Sequence, residues 1–346
     1  MYLRFLREES TRSLPWCPGR TAVSLSFCVI VCAVAALAGN PTVDQARELV
    51  DLRKDDQALE LLLEAIEQDE RDHEAHFLLA KVFLRKQDHD MAKKHAERAV
   101  KLSDSTSDYH FWLARVYLAK AMESGLINSF RYARKGKGAY EKAVALDSSN
   151  VEARLELSMY LVTAPGLVGG DREKGRVQAH IVEQQDSLYG AYAWANVWER
   201  DEELERAEDC LRKAVELDTS STFYARYALG YFYERHGRYD DAVQVFRGIL
   251  ADKPDEMNAV FQVGKICVII ERDLDEAEAC FKRYLEVQSP RNAPDWAAAH
   301  WRLGMVYNLQ GKPDLAVAEL RKAVDLAPKN KEFRKTLREV EKKIGK

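Results

Sequence analysis

Two histidine pairs, His73-x-x-His76 and His89-x5-His95, are the first groups in this chain whose type and spacing could do chemistry. Imidazoles at helical spacing can share a zinc ion, but a closed site needs further Cys, His or carboxylate ligands. Neither pair has a cysteine or third histidine beside it, and the first straddles a helix start, so solvated or capping roles are expected. Gly166-x-x-Gly169-Gly170 could cradle a phosphate on backbone N–H groups at a helix start. It follows a helical stretch rather than a strand and lacks the Lys-Ser/Thr of a nucleotide-binding loop, so it reads as a turn. Glu199, Asp201, Glu202, Glu203 and Glu205 crowd one segment, again between helical stretches, where a solvated run is the default. Of the six cysteines, Cys17, Cys28 and Cys32 lie near the start, and Cys210, Cys267 and Cys280 lie in helical stretches with no CxxC. A Cys267–Cys280 bridge is not expected, since facing helices sit about 8–10 Å apart and a disulfide wants Cα atoms about 5.5–6 Å apart. No nucleophile–base arrangement can be read, so no catalytic residue, cofactor or metal site is expected, and enzymatic activity is not expected.

The elements that could position a binding surface are more legible. The chain has 346 residues, 47% hydrophobic and 31% charged, with 9 prolines, and is rich in Ala, Leu, Glu, Arg and Lys, which indicates an all-helical class. Small residues recur in register. A first series is Ala46, Ala80, Ala114, Ser158, Ala195, Gly230, Gly264 and Gly304. A second is Ala58, Ala92, Gly136, Gly175, Ala207, Ala242, Ala277 and Ala316. Partners are 12, 12, 22, 17, 12, 12, 13 and 12 residues apart. Seven residues after each second slot stand Ala65, Ala99, Ala143, Val182, Ala214, Ile249, Tyr284 and Ala323. Small residues are needed where two antiparallel helices approach closely, and a turn such as Gly237-Arg238 joins them.

The clearest copy runs from Tyr224 to Pro254: Leu229-Gly230-x-x-Tyr233, then Ala242-x-x-x-Phe246, closed by Pro254. It resembles the tetratricopeptide (TPR) pattern L-G-x2-Y…A-x3-F…P with its period of about 34 residues. The resemblance implies a right-handed α-solenoid of about eight TPR helix pairs, with units near 40–72, 73–106, 107–150, 151–187, 188–222, 223–256, 257–295 and 296–330. Residues 331–346 would form a C-terminal capping helix over the last apolar face.

In such proteins two rows of first-helix residues look onto a concave groove. Here the row three residues before each slot is Phe77, Phe111, Leu155, Tyr192, Tyr227, Phe261 and Trp301. The row one residue after includes Lys81, Arg115, Asn196, Tyr231 and Lys265, with Tyr189 and Tyr224 one helical turn upstream. The resemblance implies a groove of Phe77, Phe111, Tyr189, Tyr192, Asn196, Tyr224, Tyr227, Tyr231, Phe261, Lys265 and Trp301, suited to an extended peptide or an amphipathic helix.

Two neighbouring units break the rhythm. The third inserts ten residues within Glu123–Lys137 and the fourth five within Thr163–Asp171. Insertions in such repeats map to one face, so Phe130, Arg131, Arg134 and Leu167 are expected to form a second contact edge. The Ala164-Pro165-Gly166…Gly169-Gly170 turn is similar to turns of exported bacterial TPR proteins. A third irregularity, Ser289–Asp295, reads as a spacer.

The first 38 residues have a different character. Arg4, Arg7, Arg12 and Arg20 precede an apolar run, Ala22–Ala38, that ends in Ala36-Leu37-Ala38, a small-x-small cleavage pattern. Export with cleavage before Gly39 is expected; an N-terminal membrane anchor through 22–38 is the alternative. The net charge is −4, and no basic stripe runs along a helix, so a nucleic-acid partner is not expected. The expectation is a non-catalytic protein–protein interaction scaffold of the bacterial cell envelope, in the periplasm or within a membrane-associated complex. The alternative is a ligand-handling or transport accessory protein that holds a small amphipathic molecule.

Overall fold

The computed structural model describes residues 40–220, 222–287, 296–343 and 345. The apolar run 22–38, the cleavage pattern and the Ser289–Asp295 spacer lie outside them. Among the described residues there are seventeen α-helices, one 3₁₀ turn and no strand. The chain divides into two compact units after Leu146.

The first unit contains three helix pairs: α1 (Pro41–Asp51) with α2 (Asp55–Gln68), α3 (His73–Arg85) with α4 (His89–Leu102), and α5 (Ser107–Glu123) with α6 (Leu126–Leu146). The second contains five: α7 (Val151–Thr163) with α8 (Arg172–Gln185), α9 (Ser187–Arg200) with α10 (Leu204–Leu217), α11 (Tyr224–Arg235) with α12 (Tyr239–Asp252), α13 (Met257–Ile269) with α14 (Leu274–Glu286), and α15 (Trp296–Leu309) with α16 (Pro313–Leu326). A terminal helix, α17 (Lys331–Lys343), follows and packs on α16. Within each unit the two helices of a pair pack together and each second helix packs on the first helix of the pair that follows, as a TPR solenoid requires.

The small-residue slots explain the packing. Every residue of the first, second and third series is buried. At Gly230 a methyl group would come within 2.6 Å of the Phe246 ring, and at Gly264 within 2.9 Å of Phe281. The glycines therefore make room for aromatic rings on the second helix. Burying each such ring contributes roughly 1.5–3 kcal/mol. Helix starts are fixed by Asp72, Asp88, Asn150, Asp171 and Asp186, whose side chains accept hydrogen bonds from first-turn amides. Seven of the turns within pairs use the left-handed region: Arg53, Gln87, Gly169, Glu202, Gly237 and Gly311 each stand there alone, and Glu271 stands there with Asp273.

The two irregular pairs solve their extra length differently. The ten residues added to the third do not form a loop. They lengthen both helices, to 17 and 21 residues, leaving only Ser124 and Gly125 between them. The segment has no proline to stop either helix. The five residues added to the fourth form a folded turn. Pro165 begins a 3₁₀ turn over Gly166–Val168, Val168 is buried, and the Tyr160 hydroxyl donates to the Val168 carbonyl at 2.8 Å. A methyl group on Gly170 would collide with the Ala164 carbonyl at 1.8 Å, so only glycine fits there. The amides of Val168, Gly169, Gly170 and Asp171 are all bonded within this corner, which leaves them no role in a phosphate cradle.

Candidate functional site

In the second unit the first helices α9, α11 and α13 carry a connected set of aromatic and polar side chains. Tyr192 of α9 meets Tyr189 edge-on at 6.5 Å and Tyr224 of α11 edge-on at 5.3 Å. The Tyr189 hydroxyl donates to Glu152 at 3.1 Å, and burial with that carboxylate pushes its pKa up to about 12. Tyr224 is 64% exposed, so its ring stands largely in solvent. Further along α11, Tyr227 and Tyr231 stack at 6.0 Å and both lean on Phe246 of α12. The Tyr227 hydroxyl reaches Glu256 at 3.3 Å. Tyr231 accepts from Gln262 at 3.2 Å, and Lys265 pairs with Glu234 at 2.8 Å. Burial raises the pKa of Tyr192, Tyr227 and Tyr231, so all three remain neutral donors.

Three shielded polar atoms on these helices lack a protein partner: the Tyr192 hydroxyl, Asn196 Oδ1 and Gln262 Oε1. Unpaired shielded polar groups are costly, so three of them on neighbouring helices mark this face out. Asn258 and Gln262 belong to this face, although sequence rows built on two slots omitted them. Their signal was available: they lie three residues before and one after Phe261, on the helix that also carries Lys265.

Three expected groove residues are core residues instead. Phe111 is buried against Trp112 and Tyr140. Phe261 is buried against Phe281 and Tyr284, because α14 supplies two large rings at that point. Trp301 is buried beneath Phe333 of α17 and donates its indole N–H to Thr336 at 3.0 Å, so the terminal helix occupies its place on the face. Phe77 is half-buried against Tyr109, with the Lys81 ammonium 5.4 Å from its ring. Arg302 carries its guanidinium over the Trp301 ring, and burial lowers its pKa. Of the expected second edge, Arg131, Arg134 and Leu167 are exposed and Phe130 is half-buried.

The histidines also differ from expectation. His76 and His95 are buried together, with Nδ1 atoms 2.8 Å apart and rings stacked at 5.1 Å. His73 bonds the Tyr109 hydroxyl and His89 the Glu123 carboxylate. Glu199 serves Arg235 and His236, and Asp201 serves Arg176, so the acidic run supplies ties to neighbouring helices. Cys210, Cys267 and Cys280 are free thiols.

Cys267, Asp273 and Glu276 bring potential metal ligands together in the second unit. Arg247 already spans both carboxylates, and burial with Glu276 nearby pushes the Cys267 thiol up to about 11. A protonated thiol and two arginine-paired carboxylates make an ion-pair junction, beside a charged surface depression of about 820 Å³.

A profile of the tetratricopeptide repeat family matches residues 43–105, 192–256 and 271–331, more than half of the chain. The chain belongs to the tetratricopeptide repeat family. The matches pass over 106–191, which contains both irregular pairs. No curated protein sequence matches the chain. Among solved structures, a human IFIT1 dimer with PPP-AAAA has a TM-score of 0.52 at 17% identity, covering 78% of this chain and 62% of that one. A monomeric IFIT1 mutant with Gppp-AAAA has a TM-score of 0.53 at 14% identity, covering 86% and 70%. PilF of Pseudomonas aeruginosa has a TM-score of 0.41 at 16% identity, covering 78% and 100%. The chain thus spans under two thirds of the first of these, and the IFIT1 likenesses concern the TPR fold.

Proposed function

We propose that this TPR protein is a non-catalytic interaction scaffold whose second unit holds a peptide segment or amphipathic helix against α9, α11 and α13. One observation carries the reading: a run of neutral tyrosines is interspersed with shielded polar atoms that lack protein partners. The exposed ring of Tyr224 and the half-buried rings of Tyr189, Tyr192, Tyr227 and Tyr231 offer area to a partner's side chains. TPR proteins as a family bind protein or peptide partners, which agrees with this chemistry.

The cell envelope is the proposed setting, on the strength of the arginine-led apolar run and cleavage pattern before Gly39. A membrane-associated complex is compatible with that setting. No described helix is long and apolar enough to cross a membrane.

The ligands PPP-AAAA and Gppp-AAAA belong to the IFIT1 structures. On the face described above, Tyr189 goes to Glu152, Tyr227 to Glu256 and Lys265 to Glu234, so carboxylates stand where a polyphosphate needs cations. The rival reading is a carrier that holds a small amphipathic molecule. Protein purified from its native cell separates the two. A scaffold co-purifies with a protein, whereas a carrier releases a small molecule on denaturation and yields no protein partner.

A further inference from the structure

The α5–α6 hairpin is longer than the pairs before it, and its end is apolar. Met122, Leu126 and Ile127 are 91%, 71% and 85% exposed around the Ser124-Gly125 connection. The neighbouring pair marks where the hairpin leaves its support. Lys120 reaches Asp90 at 2.9 Å and Glu123 reaches His89 at 2.7 Å, both in the first turn of α4. On the returning helix, Lys93 of α4 lies 5.6 Å from the Tyr132 ring. Residues 124–130 lie beyond these ties. Ten extra residues shared by two helices extend a hairpin by roughly 7–8 Å, at about 1.5 Å per residue.

Charge changes along the same element. Between Glu123 and Glu141 stand Arg131, Arg134, Lys135 and Lys137 with no acidic residue, in a chain whose net charge is −4. At helical spacing Ile127, Phe130, Arg134 and Lys137 share one side of α6, opposite the buried Tyr132, Gly136, Ala139 and Ala143. Arg131 and Arg134 follow Ile127 at roughly 6–10 Å along the helix. An apolar end with a cationic collar at that separation matches an anionic bilayer surface, where acyl chains lie about 5–10 Å below the phosphates. A protein pocket would be served by the apolar end alone and gives no reason for an acid-free collar.

We propose that the end of the α5–α6 hairpin is a membrane-contact element, entering the headgroup region of an anionic lipid surface. This contact lies wholly within the first unit and does not rest on the reading of the tyrosine face.

Hydrogen exchange on the full chain tests it, because the readout is local and the apolar run 22–38 could hold vesicles by itself. With phosphatidylglycerol vesicles, amides 122–131 are expected to exchange at least about tenfold more slowly, equivalent to 1.4 kcal/mol. Phosphatidylcholine vesicles should give no such protection. Met122→Ser with Leu126→Ser and Ile127→Ser, and separately Arg131→Glu with Arg134→Glu, should each abolish it, with helical content checked by circular dichroism. Wild-type exchange unchanged by phosphatidylglycerol vesicles overturns the proposal, as does protection that survives both sets of substitutions. Protection that grows with protein concentration without lipid seats a second copy on the tip and overturns it equally.

Discussion

His76 and His95 face each other Nδ1 to Nδ1 at 2.8 Å inside the first unit, so one imidazole donates and the other accepts while both are neutral. Burial lowers both pKa values; that of His95 falls to about 4, with His76 adding repulsion. Arg98 and Lys94 oppose a second charge there, while the Glu70 carbonyl, 3.1 Å from His76 Nε2, and Asp72 favour one but are outweighed by burial. The unfolded chain takes up these protons near the ordinary value of about 6.5, the folded pair only lower. Stability is therefore complete above that value and is lost as pH falls toward 4. Thermal melts at pH 7.5 and pH 5 should show a lower Tm at pH 5, and His95→Phe should flatten the difference. An unchanged slope in His95→Phe would mean that the pair does not titrate with unfolding.

The turns offer a test free of packing. Gly237 has φ +71 and its Cβ position meets nothing within 4 Å, so any cost of Gly237→Ala is conformational. A left-handed non-glycine residue costs about 1–2 kcal/mol, against about 0.5–1 kcal/mol for the extra freedom of glycine when unfolded. Gly237→Ala should lower stability by about 1 kcal/mol or less. Glu202→Gly, at φ +65 in the equivalent turn, should leave it equal or slightly raised. Denaturant titration at constant m-value reads both, and a stabilising Gly237→Ala would contradict the turn geometry.

Export is a separate expectation, resting on Ala36-Leu37-Ala38. N-terminal sequencing of protein from the native cell should begin at Gly39. Recovery of Met1 on soluble cytoplasmic protein would refute export, whereas Met1 on membrane-bound protein would assign 22–38 as an anchor.

The helix pairs were legible because close helix approach fixes residue volume: glycine or alanine must stand opposite Phe246, Phe281 or Leu320 wherever the axes come together. The face was less legible because one slot serves two purposes. A ring three residues before the small slot can point outward, as Tyr192 does in part, or fold under the next pair. Phe261 folds under because Phe281 and Tyr284 wait for it, and Trp301 because α17 returns over it. Neither neighbour is visible from the slot itself. The spacing showed that the third pair carries ten extra residues but not what they form, because it measures only how far apart the slots lie. Helix-compatible residues on both sides of Gly125 turn that distance into two longer helices.

The tyrosine face is the central claim, and Tyr189 and Tyr224 probe it best, because Tyr227 and Tyr231 also support Phe246. Burying one ring against a ligand contributes roughly 1.5–3 kcal/mol. The decisive measurement is the Kd of the co-purifying protein for wild type and for Tyr189→Ala with Tyr224→Ala, with Tm recorded for each. The expected result is affinity weakened at least about tenfold, the equivalent of 1.4 kcal/mol, with little change in Tm. Wild-type affinity in a folded double variant would contradict the account and move the binding surface off these helices.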